Sequence, residues 1–348
     1  MRTIKKVASH IFIDGFGGMT QGLFATLIIG TMIQQIGLLI GGSTGNVIYL
    51  LGKAAAALTS AGIGVGVAVK YGESPLVTVS AAVAAMVGGY AGKITGGTFF
   101  VDGNAVLAGP GEPLGAFIAA FAGITCGHLV SGKTKVDIIV TPVITIGAGS
   151  VVGLLVGPPI SQMMTGLGSI INWATEQRPF IMGIVVSVVM GMVLTLPISS
   201  AALGIILNLS GLAAGAATIG CCCNMVGFAV ASYRENKFGG LVAQGLGTSM
   251  LQVPNIMRHP LIWLPVIFSS AILGPVSTII ANMQNNATGS GMGSAGLVGQ
   301  ITTYQIMIAY DDPKLVIIKI ILLHFVLPAV ITLFFSEAVS YTHLRAHE

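Results

Sequence analysis

One stretch of the chain, Thr195 to Pro260, indicates the class of protein most directly: TLPISSAALGIILNLSGLAAGAATIGCCCNMVGFAVASYRENKFGGLVAQGLGTSMLQVPNIMRHP. It begins as an uncharged apolar run and then presents Arg234, Glu235, Asn236 and Lys237 together. An uncharged run of this length is typical of membrane-spanning helices, which need about 20 apolar residues each. The polar residues that follow mark the place where a membrane protein could handle a polar substrate.

The composition of the whole chain supports the same interpretation. Of 348 residues, 54% are hydrophobic and 7% are charged, and the mean hydropathy is +0.91. A soluble globular domain carries about 25% charged residues. The 49 glycines favour close helix packing in lipid, where small residues let backbones approach. We therefore predict an all-α, polytopic transmembrane helical bundle.

Apolar runs divide the chain into about ten predicted spans. They fall near 17–40, 46–69, 75–92, 114–131, 138–157, 179–197, 198–214, 215–231, 260–282 and 314–336. Apolar residues at helical spacing after Pro158 predict an amphipathic interfacial helix. The Gly-broken segment 238–256 is too polar to cross comfortably and is a candidate re-entrant segment. Residues 1–336 form one predicted domain, and residues 337–348 a tail whose end resembles cloning read-through.

The distribution of positive charges predicts the orientation. With the N-terminus and its Arg2, Lys5 and Lys6 in the cytoplasm, most lysines and arginines fall on the cytoplasmic side, as the positive-inside rule expects. Those on the cytoplasmic side are Lys70, Lys133, Lys135, Arg234, Lys237 and Arg258, and those outside are Lys93, Arg178 and Lys314. The net charge of +4 is spread over span ends, so no nucleic-acid partner is predicted.

Glu235 is the most informative ionisable residue. It stands in YRENK at a predicted span end, where it could be a solvated carboxylate paired with Arg234 or Lys237. Alternatively, Glu235 and Asn236 form the rim or floor of a cavity over which the next segment folds back. Carboxylates and amides suit a sugar, because they accept hydrogen bonds from hydroxyls while apolar walls cover the ring.

The segment GLGTSMLQVPNIMRHP adds Gln252, Asn255 and His259, spaced i, i+3 and i+7. They would share one face of a continuous helix unless Pro254 breaks it. They are either substrate-binding residues or partners for backbone groups that Gly and Pro leave unbonded. Irregular backbone at membrane depth is tolerated only where protein buries it or it lines a wet cavity.

The TLPISSA motif places Pro197 beside Ser199 and Ser200, which form a possible second wall of the site. Such a cluster can turn backbone groups toward a ligand, or the serines can bond back within their own helix. Asp137 opens a span, where the helix dipole favours a structural carboxylate. Lys319 either snorkels or pairs internally, and His324 is interpreted as packed and hydrogen-bonded.

The sequence contains no recognisable catalytic, cofactor or metal motif. Neighbouring residues on a helix point about 100° apart, so Cys221, Cys222 and Cys223 cannot converge on one metal ion. They are interpreted as small packing residues, and neither a catalytic residue nor a cofactor is predicted.

Several motifs together resemble a known family. VDIIVTPVITI, RPFIMGIVVSVVMGMVLTLPISSAA, SGLAAGAATIGCCCNMVGFAV, YREN, GLGTSMLQVPNI and GSGMGSAGLVGQ are similar to the membrane permease (EIIC-like) family of the bacterial phosphotransferase system. The likeness covers roughly residues 15–335 and is strongest to the branch that includes regulator-like proteins of the perfringolysin type. It implies a multi-pass protein of the bacterial inner membrane that carries a carbohydrate. It also implies separate soluble EIIA and EIIB partners and a homodimer, with Glu235 and His259 holding the sugar.

Three functions remain open from the sequence. The first is a permease subunit of a phosphoenolpyruvate-dependent sugar phosphotransferase system, in which this chain itself holds no phosphorylatable domain. The second is a membrane-bound sensor that regulates gene expression without transport. The third is a non-sugar secondary transporter coupled to an ion through Asp137 or Glu235.

Overall fold

The computed structural model describes residues 14–107, 109–175 and 177–345 of the chain. It is 82% helical with almost no strand, which confirms the all-α helical bundle. The chain divides into two compact units, Met1–Thr165 and Gly166–Glu348. The N-terminal segment predicted to be cytoplasmic, with Arg2, Lys5 and Lys6, lies outside the described residues, as do the last three residues.

The first unit is built from apolar helices and one short hairpin. Its elements are α1 (Phe16–Ile40, with a π-helical turn at Phe24–Ile28), α2 (Gly42–Ala57), α3 (Thr59–Lys70), α4 (Pro75–Gly89), α5 (Ala91–Thr95), β1 (Phe100–Val101), β2 (Asn104–Ala105), α6 (Pro113–Val130) and the first part of α7 (Asp137–Thr175). The two strands pair antiparallel, Phe100 with Ala105 and Val101 with Asn104. Ser74 and Pro75 begin α4, since the Ser74 hydroxyl accepts a hydrogen bond from the Val77 amide.

The second unit surrounds one central helix. Its helices are α8 (Pro179–Thr195), α9 (Ser200–Ile206), α10 (Gly211–Ala231), α11 (Tyr233–Val242), α12 (Val253–Arg258), α13 (Leu264–Pro275), α14 (Ala287–Ser290), α15 (Val298–Met307), α16 (Pro313–Ile320) and α17 (Leu327–Arg345). Short π-helical segments lie at Ala243–Gly247, Val276–Ile280 and Ile321–Val326. The most apolar window of α10 is 94% buried, because α8, α13 and α17 all pack against it.

Contacts along α10 give the direction of each neighbouring helix. A Cβ on Gly220 would collide with the backbone of Ser187, and Thr195 bonds to Asn224, so α8 runs parallel to α10. Ser270 bonds to Asn224 while Gly274 lies against Gly183 near the start of α8, so α13 runs antiparallel. Such close backbone approach requires glycine at the crossing points.

The predicted spans are largely confirmed. Among the described residues, six helices are long and apolar enough to cross a membrane, or seven if the bent pair Gly42–Ala57 and Thr59–Lys70 counts as one span. Pro75–Gly89 and Pro179–Thr195 are shorter apolar helices. The exception is 198–214, which holds the seven-residue helix Ser200–Ile206 and, from Gly211 onward, the start of α10. Asn208 and Gly211 then adopt positive φ, so the backbone turns there. Because α8 and α10 are parallel, this broken segment still returns the chain from one end of α10 to the other.

The predicted interfacial helix after Pro158 is helical, but it is not a separate element. It continues the preceding span within α7, Asp137–Thr175. Exposed Met163, Ile170 and Trp173 follow one another along this part at helical spacing. Whether it lies in a membrane interface stays a prediction.

Segment 238–256 is a broken helix, as its glycines suggest. It comprises the rest of α11, the π-helical segment, an extended Thr248, a short 3₁₀ turn Ser249–Gln252 and then α12. Gln244 and Gln252 lie level with Ser232 at the end of α10, whereas the tip at Gly245 to Met250 is buried beside Met225. Met225 and Ser232 are seven residues apart along α10, a rise of about 10 Å. The segment therefore runs inward along α10 by about that distance and then returns. Whether it re-enters a membrane stays a prediction.

A second irregular segment enters from the opposite end of α10. Asn285 pairs with Gly211, and Gly293 packs on Cys221, after which the chain turns back to place Gly299 beside Thr218. Its tip meets the tip of the first segment, where the Ser294 hydroxyl donates to the Gly245 carbonyl at 2.6 Å. Both irregular tips are therefore buried in protein, where such backbone is tolerated.

Candidate substrate site at the end of the central helix

The Glu235 carboxylate is not paired with its neighbours in sequence. Arg234 instead reaches Glu337 on α17, with Nη2 and Oε1 3.0 Å apart. Lys237 adopts φ 52° and ψ −154°, which interrupts α11 directly after Asn236. Among the described residues, the Glu235 side chain makes no hydrogen bond or ion pair. It is exposed, and its carboxylate is available to accept hydrogen bonds from a ligand.

Two adjoining cavities of about 200 and 370 Å³ share Glu235, Ala231 and Ser336 as lining residues. The smaller one combines hydrogen-bonding and apolar groups. Its polar lining is Ser232, Glu235, Gln252, Thr332 and Ser336, and its apolar lining is Phe228, Ala231, Ile262, Pro265 and Val266. It is smaller than the ~300–1,000 Å³ typical of sites for drug-sized ligands, so it suits a small polar molecule with an apolar face.

A relay of side-chain amides leads from the rim into this cavity. Asn255 Nδ2 donates to Gln252 Oε1 at 2.9 Å, Gln252 Nε2 donates to Gln244 Oε1 at 2.7 Å, and Gln244 Nε2 donates to Ser232 Oγ at 2.8 Å. All three bonds run in the same direction, so each polarises the next. Within the relay, the Ser232 O–H and the second amide proton of Gln252 remain as donors for a ligand, and the Thr332 and Ser336 hydroxyls line the same cavity.

The predicted site residues therefore separate into two groups. Glu235 and Gln252 line one cavity, and Asn255 is joined to it through Gln252. Asn236 is exposed, and its side chain lies against Gly240. His259 is also exposed and follows the last residue of α12.

The expected continuous helix through Gln252, Asn255 and His259 does not form. Gln252 belongs to a 3₁₀ turn, and His259, at φ −136° and ψ 80°, lies beyond the end of α12. Pro254 does not break a helix here but stands in the first turn of α12, where its missing N–H leaves no intrahelical bond unmade.

The two serines of TLPISSA are not part of the cavity wall described above. The buried Ser200 hydroxyl donates to the Gly291 carbonyl at 2.6 Å and so fastens the broken segment after α8 to the second irregular segment. Ser199 is buried directly before it. Their part in substrate binding stays a prediction.

A buried polar network behind the cavity holds the tip of segment 238–256, and the residue at its centre was not identified from the sequence. Asn224 on α10 accepts hydrogen bonds from Thr195 Oγ1 at 3.1 Å and Trp263 Nε1 at 3.2 Å, and its amide donates to the Gly220 carbonyl. Thr195 in turn bonds to Ser249 at 2.8 Å. The available signal was one asparagine in an otherwise apolar helix, which in lipid needs internal partners.

The other ionisable residues noted in the sequence have structural contacts. Asp137 Oδ1 accepts hydrogen bonds from the Gly132 amide and the Thr141 hydroxyl at the start of α7, consistent with a structural carboxylate. Lys319 pairs internally, donating to Asp311 Oδ2 at 2.6 Å and to the Ala281 carbonyl at 2.9 Å.

The three consecutive cysteines are fully buried, which confirms their interpretation as packing residues. Within residues 14–107, 109–175 and 177–345, no group of three or more His, Cys, Asp or Glu side chains could hold a metal ion.

The family model described as "Phosphotransferase system, EIIC" matches residues 13–347, nearly the whole chain. A search of curated proteins finds no match.

Proposed function

Because this chain belongs to the EIIC family of the phosphotransferase system, we propose that it binds a carbohydrate at the Glu235 cavity and carries it across the membrane. The family supports a multi-pass permease-type component that cooperates with EIIA and EIIB proteins and a sugar substrate. We further propose that the protein transports one class of sugar, that it lies in the bacterial inner membrane and that it works as a homodimer.

The observation that carries the proposal is the unpaired Glu235 carboxylate beside the Gln252 amide and Ser232 hydroxyl. A carboxylate accepts two hydrogen bonds from vicinal hydroxyls, and the two donors can reach sugar oxygens. Phe228, Ile262 and Val266 supply the apolar wall against which the C–H face of a sugar ring packs. The polar groups fix the directions of the hydrogen bonds, and the apolar wall supplies contact area. Together they orient a small neutral ligand.

The direction of transfer follows from the location of this cavity. It lies at the end of α10 that carries Arg234, Lys237 and Arg258, which we assign to the cytoplasmic side by the positive-inside rule. A sugar held there is within reach of a soluble phosphorylated partner. The chain itself contributes binding and translocation. Its consecutive cysteines Cys221, Cys222 and Cys223 are fully buried, and the partner proteins supply the phosphoryl group.

The experiment is uptake of a radiolabelled sugar panel in membrane vesicles, with and without phosphoenolpyruvate and the partner proteins. We expect one sugar class to accumulate only when both are supplied. Glu235→Gln should abolish uptake at normal expression, whereas Asp102→Asn, in an exposed hairpin turn, serves as the matched control and should transport normally.

Three outcomes would overturn parts of this function. Binding without accumulation would replace transport by sensing. Uptake independent of phosphoenolpyruvate would indicate secondary transport. Unaltered kinetics in Glu235→Gln would remove Glu235 from the site.

A further inference from the structure

A second cluster of polar side chains lies in the core of the second unit, apart from the Glu235 cavity. His324 stands in the π-helical segment within the candidate span Pro313–Ala338 and is fully buried. Its Nδ1 lies 3.2 Å from Nε2 of Gln300, which also lies 3.3 Å from Cys222 Sγ. Gln300 and Thr303 are one helical turn apart on α15, so they share a face. The cluster thus joins α10, α15 and the π-helical segment Ile321–Val326.

Three polar atoms of this cluster have no hydrogen-bond partner among the described residues. They are His324 Nε2, Gln300 Oε1 and Thr303 Oγ1. All three residues are more than nine-tenths buried. A buried polar group without a partner is strongly destabilising, and nearly all such groups in native proteins are bonded to protein or to ordered water.

The hydrogen-bonding roles of these atoms are complementary. A neutral imidazole carries one N–H, and with the Gln300 amide donating to Nδ1 that proton is on Nε2. The cluster then offers one N–H donor, one carbonyl acceptor and one hydroxyl that can do either. Exchanging the amide oxygen and nitrogen of Gln300 would reverse the roles but would still leave an N–H donor in the set.

We propose that these three side chains bind a water molecule between α15 and the π-helical segment. A water needs two to four polar partners, and it can accept from His324 while donating to Gln300 and Thr303. A cation does not suit the site, because one N–H dipole faces the ligand in either orientation of the amide. The bound water joins α15 to the candidate span Pro313–Ala338, at the place where the π-helical segment Ile321–Val326 interrupts the regular helical hydrogen bonds.

The test uses the sign of a change in thermal stability. Thr303→Val keeps the shape of the side chain and removes its hydroxyl. If that hydroxyl bonds to water, the variant loses a hydrogen bond, and we expect Tm to fall by about 1–2 °C. If the hydroxyl has no partner, valine removes a buried unsatisfied group and Tm rises.

Thr302→Val is the matched control, because the Thr302 hydroxyl bonds to backbone carbonyls of its own helix, Val298 at 2.8 Å and Gly299 at 3.2 Å. It should change Tm less than Thr303→Val does. A density map of the whole protein at a resolution that shows water provides the second measurement, with a peak expected within hydrogen-bond distance of His324 Nε2. A raised Tm in Thr303→Val, or a map without that peak, would overturn the proposal, as would a peak with the coordination shell of a cation.

Discussion

The amide relay beside the cavity gives the sharpest prediction, through the variant Gln244→Leu. Gln244 is 3% exposed, and it both accepts from Gln252 Nε2 and donates to Ser232 Oγ. Leucine fills a similar volume but breaks both bonds, leaving the amide of Gln252, itself 5% exposed, without that acceptor. Such a loss costs about 1–3 kcal/mol of unfolding free energy. For a chain of 348 residues, at about 1.4 °C per kcal/mol, Tm should fall by roughly 1–4 °C.

The same variant should also weaken sugar binding. With its acceptor gone, Gln252 is no longer held in one orientation, and the ligand must fix it at the expense of affinity. The loss of binding free energy should equal the net contribution of one hydrogen bond, about 0.5–1.5 kcal/mol, which corresponds to a rise in Kd of roughly 2- to 12-fold. Tm is measured by thermal unfolding in detergent, and Kd by equilibrium dialysis with the sugar that the wild-type protein takes up.

Gln177→Leu provides the matched control for this prediction. Gln177 makes one exposed hydrogen bond, from Nε2 to the Trp173 carbonyl, and lines neither cavity. Its replacement should leave Tm and Kd close to the wild-type values. If Gln244→Leu likewise kept both values unchanged, the relay would have no role in stability or in ordering the cavity.

Three further predictions concern other parts of the molecule. Glu337→Gln should release Arg234, which can then pair with the Glu235 carboxylate and raise KM for uptake about two- to fivefold at constant kcat. Adding Arg234→Gln to this variant should restore KM. A normal KM in Glu337→Gln alone would refute the prediction. Gly220→Ala should give no folded protein in size-exclusion chromatography because its Cβ meets rigid backbone, whereas Gly239→Ala, whose Cβ has open space, should give wild-type yield. Burial, and secondarily the Asp14 carboxylate, raise the pKa of Tyr71 from 10.0 to about 12. The protonated phenol therefore contributes stability that is fully present below pH 10 and is lost as pH rises toward 12. Tyr71→Phe should remove that loss, and an absorbance titration should show one phenol fewer at the high pKa.

The sequence was sufficient to determine the class of fold. Every backbone group in lipid must bond internally, which helices and closed barrels achieve. The uncharged runs are about 20 residues long and do not alternate as barrel strands do, so they indicate helices. The predicted span 75–92 begins where α4 begins, at Pro75, and the Ser74 cap depends only on residues within one turn. Glycine interruptions in 238–256 correctly indicated a broken segment for the same reason.

Pairings between distant residues were decided by the tertiary structure alone. From the sequence, Arg234 was an obvious partner for Glu235, and only the packing of α17 along α10 brings Glu337 to Arg234 instead. The relay from Asn255 to Ser232 likewise depends on the fold-back of the segment between them. Periodicity predicted one face for Gln252, Asn255 and His259, but a helix that ends before His259 removed it.

The Thr195 to Pro260 stretch shows the same division within itself. Hydropathy and the clustered charges determined by themselves that it enters the membrane and that polar residues return near Glu235. Its sequence could not determine that Asn224 would anchor Thr195 and Trp263, or that the tip would meet Ser294. Hydropathy and capping act over neighbouring residues, whereas hydrogen bonds between separate helices depend on the angles and close approaches set by the whole bundle.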